Sequence, residues 1–258
     1  MNSPPITIND CIEMMKLPLV LICALLPAVV ILIIVFRRDK LNPEPVSKLL
    51  QGVLWGLLSA FVASMLAGLI AVVFRMNPAA TPDNLLQCVS VSFLLAGIPE
   101  ELAKLLCLFL FLRKNRAFDE HADGIVYAVC VGMGFAGFEN VGYLLTNYSE
   151  WLQVGVSRAL FAVPGHYLFA VLMGYYFSLW YFGGHRSNLV KAFVFPMLAH
   201  GIYDTIAFTL SLDTTVSGTL TLVLIGGMLF LEKYGRSLMR AQIKKDANTM
   251  LPPSVPRV

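Results

Sequence analysis

Charged side chains are scarce in this 258-residue sequence, at 14% of the chain against about 25% in ordinary soluble domains. Hydrophobic residues make up 57% of it, so the polar surface is too small to cover a soluble globule of this size. The few Lys and Arg are not interleaved with aromatic side chains, and we expect no nucleic-acid partner. The composition therefore predicts an integral membrane protein covered largely by the lipid bilayer.

Several protease and metal motifs are absent as well. There is no H-E-x-x-H, which excludes the site-2 class of metalloproteases, and no G-x-S-G, which argues against the rhomboid serine class. Ile202-Tyr-Asp204 resembles one motif of the intramembrane aspartyl proteases, but the partner motif G-x-G-D is missing. No C-x-x-C or Cys/His spacing typical of a structural metal site occurs.

Seven apolar runs are long enough for helices that cross a bilayer, which takes about 20 residues. We predict spans at 17–36, 49–74, 85–112, 123–147, 158–182, 189–211 and 214–232. Only a short polar break at Asp213 separates the last two, so six spans with one broken segment is the alternative. The sequence thus predicts an all-α fold, a polytopic transmembrane helix bundle of about seven spans.

Basic residues cluster in alternate connections between these spans. They follow the first, third, fifth and seventh spans, whereas the even-numbered connections contain only Arg75 and, at a span edge, Arg158. Cytoplasmic loops carry the excess of Lys and Arg, so we predict that the N-terminus is outside and the C-terminus cytoplasmic. Residues 1–232 would form a single membrane domain, and 233–258 a basic cytoplasmic tail that is partly disordered.

Four consecutive spans contain polar side chains that lipid disfavours. A charged residue at mid-bilayer costs roughly 2.5–3.5 kcal/mol, so such residues are candidates for function. Counting along the spans places most of them between mid-membrane and the outer half. The candidates are Glu100, Glu101 and Lys104 in the third span, Glu139 and Asn140 in the fourth, His166 in the fifth, and His200 and Asp204 in the sixth.

The spacing of these residues predicts that they share one cavity. Glu100 and Lys104 are four residues apart, as are His200 and Asp204, so each pair lies on one helix face. Small residues at four-residue spacing in the fourth span allow close helix approach and turn Glu139 into the bundle. Three prolines near the polar groups free backbone carbonyls, which within lipid suits a hydrated cavity. They are Pro99, Pro164 and Pro196.

The inventory of polar groups favours hydrolysis. A carboxylate and a histidine that hold a water form a general-base system, and a second histidine with an Asp or Asn partner can stabilise an oxyanion. We therefore predict an intramembrane protease without a cofactor. Buried acids also relay protons in transporters, which stays an alternative. So does a zinc protease with the ligands Glu100, Glu139, His166 and His200.

Four motifs occur in order, each in its own span: Glu100-Glu-Leu-Ala-Lys104, Phe135-Ala-Gly-Phe-Glu-Asn140, Ala162-Val-Pro-Gly-His166 and His200-Gly-Ile-Tyr-Asp204. Together they resemble the PrsW family of intramembrane proteases, in the wider superfamily of type II CAAX prenyl endopeptidases. The stretch 36–45 resembles the family's first cytoplasmic loop, and the resemblance extends over about residues 20–230. It implies a multi-pass, glutamic-type protease of the bacterial inner membrane.

The resemblance also implies a substrate and residue roles. The substrate would be a membrane-anchored protein, with anti-sigma factors as the substrate class, cut in a site-1 type first cleavage. Glu100 would be the catalytic glutamate, and His200 would serve the oxyanion, with Asp204 where relatives carry Asn. The CAAX relatives have a histidine where this chain has Glu139, which leaves the roles of Glu139 and His166 open.

The predicted catalytic residues are Glu100, Glu101, Glu139, His166 and His200, with Lys104, Asn140 and Asp204 in supporting or oxyanion roles. Some members of the superfamily are non-catalytic immunity or scaffold proteins, which is the third alternative.

Overall fold

The computed structural model describes residues 8–37, 43–78, 80–212 and 217–250, and within them all regular structure is helical. The helices are α1 (Ile8–Phe36), α2 (Val46–Phe74), α3 (Leu85–Val91), α4 (Ile98–Leu112), α5 (His121–Thr146), α6 (Trp151–Leu160), α7 (Ala162–Gly183), α8 (Arg186–Leu210) and α9 (Ser217–Met250). A π-helical segment, Ser92–Gly97, joins α3 to α4.

Five helical segments of the described chain are long and apolar enough to cross a membrane. They are Lys16–Phe36 of α1, all of α2, all of α5, α6 with α7, and α8. The other two predicted spans are helical too, but a π-helical segment divides one, and α9 continues past its apolar part into a basic stretch. The predicted all-α polytopic bundle is confirmed. The predicted break at Asp213 lies outside the described residues.

Helix α5 lies at the centre of the bundle, and every residue from 122 to 137 is buried. The small residues at four-residue spacing in its sequence, among them Gly124 and Gly132, face α7. A Cβ added to Gly132 would lie 2.7 Å from the Cβ of Ala170, and one added to Gly174 would lie 2.7 Å from the Cα of Ile125. Only glycine permits backbones this close, so the predicted ladder of small residues forms the α5–α7 contact.

The opposite face of α5 contacts α2 through a second pair of glycines. A Cβ added to Gly56 would lie 2.9 Å from the Cα of Gly134, and one added to Gly134 would lie 2.9 Å from the carbonyl carbon of Val53. Helix α5 is therefore held between α2 and α7 at backbone contact on both sides. This arrangement fixes the position of Glu139 near the end of α5.

Helix α9 does not end at Glu232, where we expected the tail to begin, but continues through residues 233–250. Leu238, Met239 and Gln242 are buried along one face of this extension. Asp246 accepts hydrogen bonds from the backbone N–H groups of His121 and Ala122, each at 2.9 Å. The extension is thus docked on the first turn of α5. Residues 251–258, expected to be disordered, lie outside the described residues.

Candidate active site

All eight polar residues predicted for the site meet in one network of hydrogen bonds and ion pairs. Helix α4 contributes three of them, α5 two, α7 one and α8 two. These residues are separated by up to about a hundred positions in sequence, so the network depends on the packing of four helices. The members are Glu100, Glu101, Lys104, Glu139, Asn140, His166, His200 and Asp204.

The backbone just before α4 turns two adjacent glutamates toward α8. The π-helical segment ends at Gly97, and Pro99 occupies the first turn of α4, where its missing N–H costs little. π-helical segments occur often at functional sites. A Cβ added to Gly97 would lie 3.1 Å from the carbonyl oxygen of Met197. This close contact brings α8 against the start of α4.

Glu101 is fully buried and joins α4 to α8. Its Oε1 lies 2.8 Å from Nζ of Lys104 and 2.8 Å from Nδ1 of His200. The other ring nitrogen of His200, Nε2, lies 3.3 Å from Asp204 and 3.9 Å from Oε2 of Glu100. Phe169 stacks on the imidazole with ring centroids 4.9 Å apart. The orientation of the His200 ring is therefore fixed on three sides.

Lys104 is buried at the centre of the network. Its ammonium lies 2.8 Å from Glu101, 3.1 Å from Nδ1 of His166 and 3.4 Å from Glu100. The ring of Phe135 covers it, with the centroid 3.9 Å away. A buried charge needs such partners to offset its desolvation, and here α4, α5 and α7 supply them.

His166 and Glu139 form the other half of the network. Nε2 of His166 lies 2.9 Å from Glu139, whose carboxylate also pairs with Arg158 of α6 at 2.7 Å. The Nε–H of Arg158 donates to the side-chain oxygen of Asn140. Asn140 in turn donates to the backbone carbonyl of Ala24 in α1, at 2.9 Å. Asn140 therefore does not line the cavity itself but holds Arg158, which does.

A cavity of about 710 Å³ opens beside this network. Five of the eight predicted residues line it, while the remaining three, Glu101, Lys104 and Asn140, lie behind them. A second cavity of about 390 Å³ adjoins it, and Glu100 and Glu139 line both. The five residues at the larger cavity are Glu100, Glu139, His166, His200 and Asp204.

Arg158 lines the larger cavity but is not among the residues that the sequence predicts for the site. We read it as the edge of a span, and a basic residue at a span edge normally marks the membrane interface. In the structure Arg158 belongs to α6, which begins at Trp151. Arg158 comes eight residues before His166, which is about two helical turns, so the two side chains fall on a similar face. This spacing is a signal in the sequence that could have placed Arg158 in the bundle.

Comparison with known proteins gives the family. A sequence profile described as PrsW family intramembrane metalloprotease matches residues 44–231, well over half of the chain. The chain belongs to the PrsW family. It is 34% identical to Protease PrsW of Clostridioides difficile (strain 630) over 197 residues, 74% of this chain and 80% of that protein. No solved structure gives a significant match.

Other PrsW proteins show similar coverage. The chain is 33% identical to Protease PrsW of Geobacillus kaustophilus over 69% of this chain and 75% of that protein. It is 32% identical to Protease PrsW of Bacillus subtilis (strain 168) over 72% of this chain and 81% of that protein. The predicted family is confirmed, and the chain is a peptidase with several membrane-spanning helices. The transporter and scaffold alternatives are therefore set aside.

The matching family is described as a metalloprotease, which raises the question whether these residues fit a metal ion. Glu100, Glu101, His166 and His200 each offer a ligand atom, all within 4.8 Å of one another. Two imidazoles and two carboxylates suit zinc. The zinc alternative from the sequence had Glu139 in place of Glu101. In the structure, however, the Lys104 ammonium already contacts three of the four donors, Glu100, Glu101 and His166. The donors as arranged fit an ammonium ion, not an additional metal.

Proposed function

We propose that this chain is an intramembrane endopeptidase that hydrolyses a peptide bond of a membrane-anchored protein, with Glu100 activating the water. One observation carries the proposal. Of the two adjacent glutamates, Glu100 lines both cavities, whereas Glu101 is fully buried behind it and held by Lys104 and His200. A general base must reach water and substrate, and Glu100 is the glutamate of this pair with that access.

The proposed reaction uses the other residues as follows. Glu100 takes a proton from the water, whose oxygen attacks the peptide carbonyl, and then returns the proton to the departing amine as the C–N bond breaks. His200, held through its Nδ1 by Glu101 at 2.8 Å, stabilises the oxyanion through its Nε2, which lies beside Asp204. The separation of 3.9 Å between His200 Nε2 and Glu100 sets a carbonyl bound to His200 beside a water bound to Glu100.

The roles of Glu139 and His166 follow from their contacts. Both line the larger cavity, and they are bonded to each other at 2.9 Å. We assign them to orienting the water opposite His200. Lys104 contacts both His166 and Glu101, and Glu101 in turn contacts His200. Lys104 therefore fixes the position of the Glu139–His166 pair relative to His200. No step of this mechanism needs a metal ion.

The smaller cavity supports a route for the substrate. On the α2 side it is lined by the small residues Ala60, Ala63, Ser64 and Ala67, and on the α5 side by aromatic residues that include Tyr143. A substrate segment lying in this groove, beyond the close contact of Gly56 with Gly134, would reach Glu100 and Glu139. Because the cavities lie where α2, α5 and α8 end, the predicted orientation puts cleavage toward the outer face.

Substrate class and location complete the proposal. The named relatives are bacterial proteins, which supports the inner membrane as the location of this chain. The family resemblance supports an anti-sigma factor as substrate and a site-1 type first cut.

The test compares protein termini in the native host. We expect cells with the wild-type chain to contain new termini near the outer end of a single-span membrane protein, and Glu100→Gln to lower their abundance at least about 100-fold. Glu150→Gln is the matched control, because Glu150 is exposed and outside the cavities. Quantitative mass spectrometry of the membrane proteome reads the result. Identical termini for wild type and Glu100→Gln, at equal protein level and under several envelope stresses, would refute Glu100 as the base.

A further inference from the structure

Four potential metal ligands lie close together in this site, and one lysine contacts three of them. Glu100, Glu101, His166 and His200 are mutually within 4.8 Å, a separation that a single ion could bridge after a small contraction. Zinc binds such donors at about 2.0–2.2 Å. The Lys104 ammonium contacts three of the four donors at 2.8–3.4 Å. An ion bound by the four donors and this ammonium would therefore occupy the same small volume.

The surroundings hold the lysine in that volume. Lys104 is 3% exposed, and its ammonium lies 3.9 Å from the centroid of the Phe135 ring. An ammonium that leaves such a position in a protein interior loses three hydrogen-bond partners and a cation–π contact. The ammonium is thus a strong competitor for the donors.

Charge alone would favour an additional cation here. The network contains four carboxyl side chains, Glu100, Glu101, Glu139 and Asp204, against the two cations Lys104 and Arg158. A divalent ion is therefore opposed by the position of Lys104 and not by the overall charge. This distinction separates two effects that a mutation can test.

We propose that Lys104 is the resident cation of the four-donor site and that it excludes divalent metal ions by occupying their position. A metal then binds only in molecules whose Lys104 side chain has moved away, and its apparent dissociation constant is raised by the rarity of that state. The inference concerns metal binding, so it stands or falls separately from the proposed proteolysis.

Cobalt(II) is a suitable probe because its visible absorption reports tetrahedral coordination by nitrogen and oxygen. The full-length chain, purified in detergent and treated with a chelator, is titrated with Co²⁺ alone. We expect Lys104→Met to bind at least about tenfold more tightly than the wild type, as follows if the lysine is displaced in a tenth of molecules or fewer. Adding Glu101→Gln to Lys104→Met should weaken binding again.

Arg158→Met is the matched control, since it also removes one positive charge from the network but not from among the four donors. We expect it to change Co²⁺ affinity less than threefold. Thermal unfolding checks that each variant is folded, and Lys104→Gln replaces Lys104→Met if the latter is not.

Three results would overturn the proposal. Equal affinities of the wild type and Lys104→Met would show that the lysine does not compete. Equal gains for Lys104→Met and Arg158→Met would show that charge and not position decides. A wild-type chain that is purified with one tightly held equivalent of metal would show that the ion is the resident cation.

Discussion

Adjacent glutamates at the start of α4 have different surroundings. Glu101 makes two close contacts, both with other side chains of the network, and has no exposed surface. The Glu100 side chain remains 13% exposed and faces the cavities. Consecutive residues on a helix are rotated by about 100° about its axis. This rotation is sufficient for Glu100 to face the cavities while Glu101 points into the protein interior and contacts Lys104 and His200.

The contacts of Arg158 predict that it is a positioning residue for Glu139. Its guanidinium bonds Glu139 and Asn140 together and stacks on Tyr143 with the ring centroid 3.8 Å away. A lysine can form one of these bonds but cannot stack as a plane. We expect Arg158→Met to lower kcat about 10- to 100-fold, as misplaced catalytic groups do, and Arg158→Lys to recover part of the loss.

The measurement uses the substrate that the comparison of termini identifies, with kcat and KM determined separately. A positioning role predicts that kcat falls while KM changes less than about twofold, because ground-state binding is retained. A rise in KM at constant kcat would instead make Arg158 a substrate-binding residue and contradict this prediction.

The sequence was sufficient to find the eight polar residues, because charge in a predicted span is costly unless it serves a function. It could not show which of them touch. The contact of Lys104 with His166 joins residues 62 positions apart, and that of Glu101 with His200 joins residues 99 apart. Such pairs depend on helix packing, which spacing within one helix does not report.

Glycines set the distances between the helices that carry the site. Gly56 faces the backbone of α5, where an added Cβ would lie 2.9 Å from the nitrogen of Phe135. Phe135 covers Lys104, so a shift of α2 away from α5 would disturb the site as well as the fold.

We expect Gly56→Ala to destabilise the protein by about 1–3 kcal/mol, the usual cost of forcing atoms into a packed contact. Gly68→Ala in the same helix is the control, because a Cβ there meets nothing within 4 Å. It should be neutral or stabilising by up to about 1 kcal/mol, since alanine is the better helix former. Thermal unfolding in one detergent compares both. Equal effects at the two positions would contradict the packing argument.

Helix positions followed closely from apolar runs, and 85–112 matches α3 to α4 end to end. The π-helical segment within that stretch had no signal that we used. The extension of α9 did have one. Leu238, Met239, Gln242 and Asp246 recur at helical spacing and are buried, a pattern of one packed face. The basic charge of residues 233–258 alone predicts a cytoplasmic tail, whereas this periodicity indicates a packed helix.

At the scale of the whole molecule, large apolar side chains remain exposed along several helices, above all α1 and α2. Leu54, Met65 and Val72 of α2 are more than 60% exposed. Exposed apolar surface of this extent would aggregate in water, and in a bilayer it contacts the acyl chains. The exposed apolar surface and the low content of charged residues therefore both indicate an integral membrane protein.

The direction of insertion can be tested with two exposed serines. The predicted orientation places Ser149, between α5 and α6, outside the cell and Ser187, at the start of α8, in the cytoplasm. In a chain without its native cysteines, we expect an impermeant maleimide to label Ser149→Cys in intact cells. Ser187→Cys should react only after permeabilisation. The reverse pattern would show the opposite topology.

The docking of Asp246 on α5 also has a consequence for synthesis. The first backbone N–H groups of a helix have no partner within it, and here those of His121 and Ala122 are bonded to a residue about 125 positions later in the chain. The capping box of Glu120 and Asp123 closes within the helix start itself, but while the ribosome is still making α6 to α8 the N–H groups of His121 and Ala122 lack their partner Asp246. A chain released before Asp246 would leave these two N–H groups without the carboxylate that pairs with them in the finished protein, so the central helix is completed only by the last described helix.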